Sequence, residues 1–179
     1  MADFRKLIPV ILKGSSGFIG DAETLNTDIN RGIPLAIYAD YYHNKGLEAP
    51  NFAALEQITE EEWEEIVKIY YWDRWKADRI LNQSVANLLV DWLWVSGEYG
   101  IKVPQRILGL SITGQVDQQA LTLINTLESG ALFNSLFQER INYINRICIS
   151  KPVNKKFKKS WINRVYNFKY ASTAHEFKY

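Results

Sequence analysis

Residues 82–97 read NQSVANLLVDWLWVSG, and this stretch decides the fold. Apolar side chains recur in it every three or four residues, which is the period of an α-helix and predicts a helix over residues 83–96. The stripe expected to be buried consists of Val85, Leu88, Leu89, Trp92 and Leu93. The opposite stripe consists of Ser84, Asn87, Asp91, Trp94 and Glu98. Asp91, which lies on this second stripe with Asn87 and Trp94, is a candidate to face a cleft.

Helical signals continue on both sides of this stretch. Apolar spacing predicts a helix over residues 3–13, Pro34 suits the first turn of a helix reaching about Lys45, and Thr59 to Glu62 form a capping-box sequence. Further helices are predicted over residues 101–109, 117–127, 129–148 and 156–169, with a long loop over residues 14–32 and a short turn over residues 71–75. No alternating pattern typical of a strand runs beyond four residues, so we predict a single all-α globule.

Length and composition place the chain among ordinary globular proteins. Its 179 residues suffice for one compact core, and 47% hydrophobic with 23% charged residues is an average balance. The formal net charge of +1 gives no strong overall field toward nucleic acid or an anionic membrane. We interpret the basic run Lys151–Lys159 as the solvated start of a helix. No segment has the roughly 20 apolar residues of a membrane span.

The sequence predicts neither a metal site nor a cofactor. Cys148 is the single cysteine, so an internal disulfide and a Cys-based metal site are excluded. It continues the apolar stripe of Ile141 and Ile144, which favours a buried core thiol over a nucleophile. His43 and His175 are isolated from any partner at metal-ligand spacing.

Several long, aromatic-rich segments carry a resemblance to a known family. They are YWDRWKAD (71–78), NQSVAN (82–87), VDWLWVSG (90–97), PQRILG (104–109), GQV (114–116) and KFKKSWINR (156–164). In these segments the chain resembles glycoside hydrolase family 108, the bacterial and phage N-acetylmuramidases, some of which are labelled secretion activators. The resemblance implies a lysozyme-like fold that acts on the MurNAc–GlcNAc bond of peptidoglycan. It also implies a division into a hydrolase-like part (1–80), a predicted peptidoglycan-binding part in the same globule (81–170) and a tail (171–179).

The N-terminal motif departs from the family pattern. The family reads Glu-Gly-Gly-Phe-Val-Asn-Asp-Pro, whereas residues 15–22 read SSGFIGDA, so that Ser15 stands at the position of the catalytic Glu. The retained positions are Gly17, Phe18, Asp21, Asn30, Gly32 and Ile33. The losses are concentrated in the part of the motif that carries the chemistry, while the scaffold segments persist.

The loss of this acid bears directly on activity. Glycoside cleavage needs a proton on the leaving oxygen and usually a second carboxylate, and general acid catalysis typically contributes about 10²–10⁴-fold. A serine hydroxyl cannot donate that proton near neutral pH. The acids able to substitute are Asp21, which matches a family position, and Glu23 and Asp28, which do not.

Aromatic and polar side chains supply the candidate sugar contacts. Trp72, Trp75 and Trp94 are candidates for stacking on sugar rings, while Trp92 and Trp161 are predicted to be core. Asn30, retained from the family motif, is a further candidate. Asp91 either contacts a sugar or has a capping or ion-pair role with Arg74 or Arg106.

Three functions stay open at this stage. The first is a catalytically impaired, muramidase-like protein that binds peptidoglycan glycan strands or a protein partner. The second is an active muramidase that uses Asp21 or Glu23. The third is a structural or cargo module of a phage or contractile-injection assembly, for which the tail from Tyr166 to Tyr179 would supply a contact surface. The oligomeric state is left open.

The N-terminus bears on where the protein acts. The apolar run Leu7–Leu12 has six residues and is closed by Lys13, which is shorter than the 7–15 residues of a secretory signal. We therefore expect this run to belong to a mature helix. The chain is expected to be made in the cytoplasm and to reach the cell wall or periplasm only through a holin or a secretion system.

Overall fold

The computed structural model describes residues 1–13 and 29–172. Ser15, Asp21, Glu23 and Asp28 lie outside the described residues, and so do His175 and the end of the tail. Within the described ranges the fold is helical, as predicted, with one very small sheet.

Nine α-helices are present in the described part of the chain. They are α1 (Ile8–Lys13), α2 (Leu35–Asn44), α3 (Phe52–Glu56), α4 (Glu60–Val67), α5 (Gln83–Ser96), α6 (Tyr99–Ile107), α7 (Gln118–Thr126), α8 (Ser129–Ser150) and α9 (Lys158–Tyr166). Short 3₁₀ turns cover Phe4–Lys6, Asp73–Trp75, Ala77–Arg79 and Pro152–Phe157, and one turn of π-helix covers Lys68–Trp72. The predicted turn over residues 71–75 therefore begins as a continuation of α4.

Side-chain caps set the starts of the main helices. The capping box at Thr59 is confirmed: its hydroxyl accepts from the Glu62 amide, and the Glu62 carboxylate accepts from the Thr59 amide. The Asn82 side chain accepts from the amide of Val85 at 3.0 Å, which begins α5. These caps satisfy amide groups that a helix leaves unpaired at its first turn.

A two-stranded antiparallel hairpin was not predicted. Strand β1 (Ile29–Asn30) pairs with strand β2 (Ile33–Pro34) through a turn at Arg31 and Gly32, both with positive φ. Each strand has two residues, too few for an alternating pattern to show in the sequence. The hairpin stands where a continuous loop was expected.

Helix α5 is the centre of the core and is buried on every side. The interpretation that Asp91 and Trp94 of the second stripe face a cleft is wrong, because both side chains are buried, as is Ser84. The reason is that α6, α8 and the π-turn pack around α5 from different directions. Gly100 of α6 lies so close that a Cβ atom there would stand 2.3 Å from the Leu93 backbone.

The hydrophobic core extends from the N-terminus to α9. Leu7 and Ile11 of the N-terminal apolar run are fully buried, which makes that run part of the core. Cys148 is buried as predicted and carries no disulfide. None of the helices described within residues 1–13 and 29–172 combines the length and apolarity needed to cross a membrane.

Candidate functional site

The hairpin that follows the N-terminal motif is held by polar contacts to α3 and α4. The Asn30 side chain donates to the carbonyl oxygens of Leu55 and Glu56, at 2.8 and 3.3 Å. Arg31 forms an ion pair with Glu60 at 2.6 Å. The backbone carbonyl oxygen of Arg31 accepts a hydrogen bond from the indole N–H of Trp63 at 3.0 Å. These four contacts fix the hairpin at residues 29–34 against α3 and α4.

Gly32 joins this hairpin to the central helix. A Cβ atom at Gly32 would lie 2.4 Å from the Trp94 ring, and the φ of +81° also favours glycine. Trp94 in turn packs edge-on against Trp63 and Tyr71, with ring centroids 6.1 and 4.7 Å apart. Gly32, retained from the family motif, thus has a structural reason to be glycine, because only glycine lets the turn contact Trp94.

The three tryptophans predicted to stack on sugars lie in the core. Trp72 is fully buried, and its indole N–H donates to Asp78 at 2.7 Å. Trp75 is also fully buried, and its indole N–H has no hydrogen-bond partner within residues 1–13 and 29–172. Trp94 keeps 4% of its surface. Stacking on a sugar needs an exposed ring face, so this packing corrects the expectation that the three rings line an open groove. Only Asn30, half-buried, retains surface among the described candidates.

Asp91 belongs to a buried ionic cluster. Its carboxylate accepts from Arg140 at 2.6 Å and from Nε of Arg164 at 3.1 and 3.2 Å. The expected ion pair is therefore present, but with Arg140 and Arg164 instead of Arg74 or Arg106. Burial disfavours the charged form, yet the two guanidinium groups outweigh it and lower the pKa of Asp91. An ionised, enclosed carboxylate does not reach a glycan.

A layer of tyrosines and carboxylates between α2 and α4 was missed by the sequence analysis. Tyr41 donates to Glu65 at 2.5 Å, and Lys45 forms an ion pair with Glu65 at 2.8 Å. Tyr70 donates to Asp40 at 2.6 Å. The signal that could have found the layer is the three-residue spacing of Tyr38 and Tyr41, repeated by Glu62 and Glu65.

The chemistry of this layer does not suit an acid catalyst. Hydrogen bonds from Lys45 and Tyr41 lower the pKa of Glu65. A carboxyl group that protonates a glycosidic oxygen works with a raised pKa instead. Glu65 is therefore held in its ionised form as a structural acceptor.

A surface cavity of about 260 Å³ lies beside α7. Its lining consists of Arg79, Gln118, Leu121, Thr122, Asn125 and Thr126. The Asn125 side chain donates to the Arg79 carbonyl and accepts from the Leu81 amide, at 2.7 and 2.9 Å. The cavity has a mixed polar and apolar lining and lies beside the segment that leads into α5. Among the described residues no group of three or more His, Cys, Asp or Glu side chains is arranged to hold a metal ion.

This helical architecture is of the lysozyme-like class. It resembles a solved structure titled "Structure of Brucella abortus SagA" with a TM-score of 0.74, at 21% identity over 92% of this chain and 90% of that chain. At that level of identity the likeness is one of fold. Comparison with curated proteins found no match.

Two family models assign the parts of the chain. Residues 14–97 match Glycosyl hydrolase 108, and residues 99–166 match Predicted Peptidoglycan domain. The resemblance stated from the sequence is confirmed at this level: the first part of the chain is similar to glycoside hydrolase family 108, and the second part is similar to a predicted peptidoglycan domain. The first match spans Ser15 and Asp21, which lie outside the described residues.

Proposed function

We propose that this protein binds peptidoglycan glycan strands on a family 108 scaffold and cleaves them weakly or not at all. The observation that carries the proposal is Ser15, which stands where the family motif has its acid. Without a proton donor for the leaving oxygen, the expected loss in rate is about 10²–10⁴-fold. Peptidoglycan as the ligand is supported by the match of residues 99–166 to the predicted peptidoglycan domain.

The scaffold around the motif supports retained binding. Family positions Asn30 and Gly32 are kept, and each has a defined contact, with the α3 carbonyl groups and with Trp94 respectively. Among the described residues, Asp91 and Glu65 are engaged in ion pairs and offer no replacement acid. The replacement acids that the sequence offers beside the motif are Asp21, Glu23 and Asp28.

The test compares muropeptide release from purified peptidoglycan by the native protein and by Ser15→Glu. The matched control is Ser16→Glu, which adds the same group one residue away. We expect an inert native protein, an active Ser15→Glu variant and an inert control. Comparable release by the native protein would show that another carboxylate supplies the acid, and Asp21→Asn, Glu23→Gln and Asp28→Asn would then test the three candidates.

Binding is measured separately by co-sedimentation with insoluble peptidoglycan. We expect the native protein to be pelleted to the same extent as Ser15→Glu. A native protein that stays in the supernatant would overturn the proposed ligand, whatever its catalytic state.

We also propose that the protein reaches the wall through a holin or a secretion system. Leu7 and Ile11 are fully buried, so the N-terminal apolar run contributes to the core. Expression of the protein alone, followed by cell fractionation, should leave it in the cytoplasm. Its recovery from the periplasm without a lysis or secretion partner would contradict this proposal.

A further inference from the structure

Charge is segregated along this chain although its net value is only +1. Residues 140–175 include nine cationic residues and no acidic residue. The nine are Arg140, Arg146, Lys151, Lys155, Lys156, Lys158, Lys159, Arg164 and Lys169. The three arginines pair with Asp91 or Glu139, acids from outside this segment. The remaining positive charge lies on lysines, five of them within residues 151–159, here called the lysine turn.

The lysine turn is fixed against the last turn of α8. Asn154 is buried, its side chain donates to the carbonyl of Ile147 at 3.4 Å, and its carbonyl accepts from the Cys148 thiol at 3.7 Å. Burial raises the pKa of that thiol, while the charges of Lys158 and Lys155 act in the opposite direction. Both ammonium groups therefore lie around this end of α8.

Three lysines of this turn are open to solvent. Lys155, Lys156 and Lys159 are exposed, and none of them has an ion-pair partner among residues 1–13 and 29–172. Lys156 lies 4.8 Å from the ring centre of Phe157, which stacks on the buried Trp161 at 5.5 Å. The cationic face is thus anchored to the core through its aromatic side chains.

Two exposed aliphatic residues lie next to these lysines in the sequence. Ile149, on the last turn of α8, is 76% exposed, and Val153, inside the lysine turn, is 53% exposed. Apolar side chains at such exposure gain nothing for the stability of the fold. A surface that combines exposed cations with exposed aliphatic groups is typical of proteins that bind at a membrane interface.

We propose that the lysine turn and Ile149 together dock on an anionic phospholipid bilayer. The ammonium groups bind the lipid phosphates, while Ile149 and Val153 enter the boundary between headgroups and acyl chains. A soluble polyanion or a nucleic acid would engage the lysines alone and would leave the two aliphatic groups without a role. The lysine turn lies within the region that matches the predicted peptidoglycan domain, but the argument for lipid binding does not use the proposed peptidoglycan function.

The first test is co-sedimentation of the full chain with vesicles. We expect binding to vesicles of phosphatidylglycerol and phosphatidylcholine, and none to phosphatidylcholine alone. The variant Lys155→Gln/Lys156→Gln/Lys159→Gln should bind about 100-fold more weakly. The matched control is Arg5→Gln/Arg74→Gln/Arg106→Gln, which removes three exposed charges elsewhere and should bind as the native protein does. Equal losses in both variants, or no vesicle binding by the native protein, would overturn the proposal.

The second test separates a bilayer from a soluble polyanion. Ile149→Ser/Val153→Ser should weaken vesicle binding about tenfold, whereas Leu47→Ser/Leu127→Ser, at exposed aliphatic positions elsewhere, should not. Both variants should bind inorganic polyphosphate as the native protein does. If Ile149→Ser/Val153→Ser leaves vesicle binding unchanged while polyphosphate is bound through the same lysines, the surface is a polyanion site and the lipid proposal is wrong.

Discussion

Asp91 on α5 accepts a hydrogen bond from Arg164 on α9 although 73 residues separate them in the chain. Arg140 on α8 completes the cluster at 2.6 Å. Asp91 lies within the hydrolase family match, whereas Arg140 and Arg164 lie within the predicted peptidoglycan domain. The two matched regions therefore share one buried ionic cluster. A substitution of Asp91, Arg140 or Arg164 is expected to destabilise both regions.

Asp91→Asn should destabilise the protein by about 3–5 kcal/mol, because it leaves two buried guanidinium groups without a counter-charge. The free energy of unfolding from urea titration at neutral pH measures the loss. Glu98→Gln is the control, since it breaks an exposed ion pair with Lys102 and should change little. Equal losses of unfolding free energy in the two variants would show that the buried cluster stabilises the fold no more than an exposed ion pair does.

The contribution of Asp91 should also depend on pH. Its pKa in the folded protein is lowered, so the ionised carboxylate stabilises the fold above the ordinary aspartate value of about 4. That stability is lost as the pH falls through the lower folded value. The difference in unfolding free energy between the native protein and Asp91→Asn should therefore shrink between pH 5 and pH 2. A difference that stays constant over this range would contradict the assignment.

Gly100→Ala should cost about 3 kcal/mol, because the added Cβ atom would lie 2.3 Å from the backbone of Leu93, which cannot rotate away. Gly130→Ala in α8 is the matched control. Its Cβ atom would meet side-chain atoms only, the carboxylate of Glu128 at 3.1 Å and the ring of Tyr170 at 3.3 Å, so Gly130→Ala should cost less than Gly100→Ala. Thermal unfolding of the two variants checks the prediction. The prediction is wrong if Gly100→Ala unfolds at the same temperature as the native protein.

Trp72→Phe should destabilise the fold by about 1 kcal/mol more than Trp75→Phe. The two rings are equally buried, but Trp72 donates to Asp78 whereas the Trp75 N–H is buried without a partner. Phenylalanine removes a satisfied donor in the first case and an unsatisfied one in the second. Urea titration of both variants provides the comparison. A larger loss in Trp75→Phe would indicate that its N–H has a partner in solution.

Local chemistry explains which parts of the fold were predictable. The bounds of α5 followed from its apolar spacing, and the start of α4 followed from the Thr59 capping box, because both signals act within a few residues. The hairpin at residues 29–34 was missed since its two-residue strands depend on α3 and Trp94 for support. The family motif around Ser15 was likewise a local pattern, and Ser15→Glu remains the test of its consequence.

The sequence by itself determined the helical class and the family resemblance, because the signals for both lie in contiguous residues. Only the tertiary structure decided the roles of Trp72, Trp75 and Asp91, which are buried instead of facing a groove. A polar or aromatic stripe on a helix has the same spacing whether it faces water or other helices. Its role depends on which elements pack against it, and for Asp91 those elements contribute Arg140 and Arg164, 49 and 73 residues away.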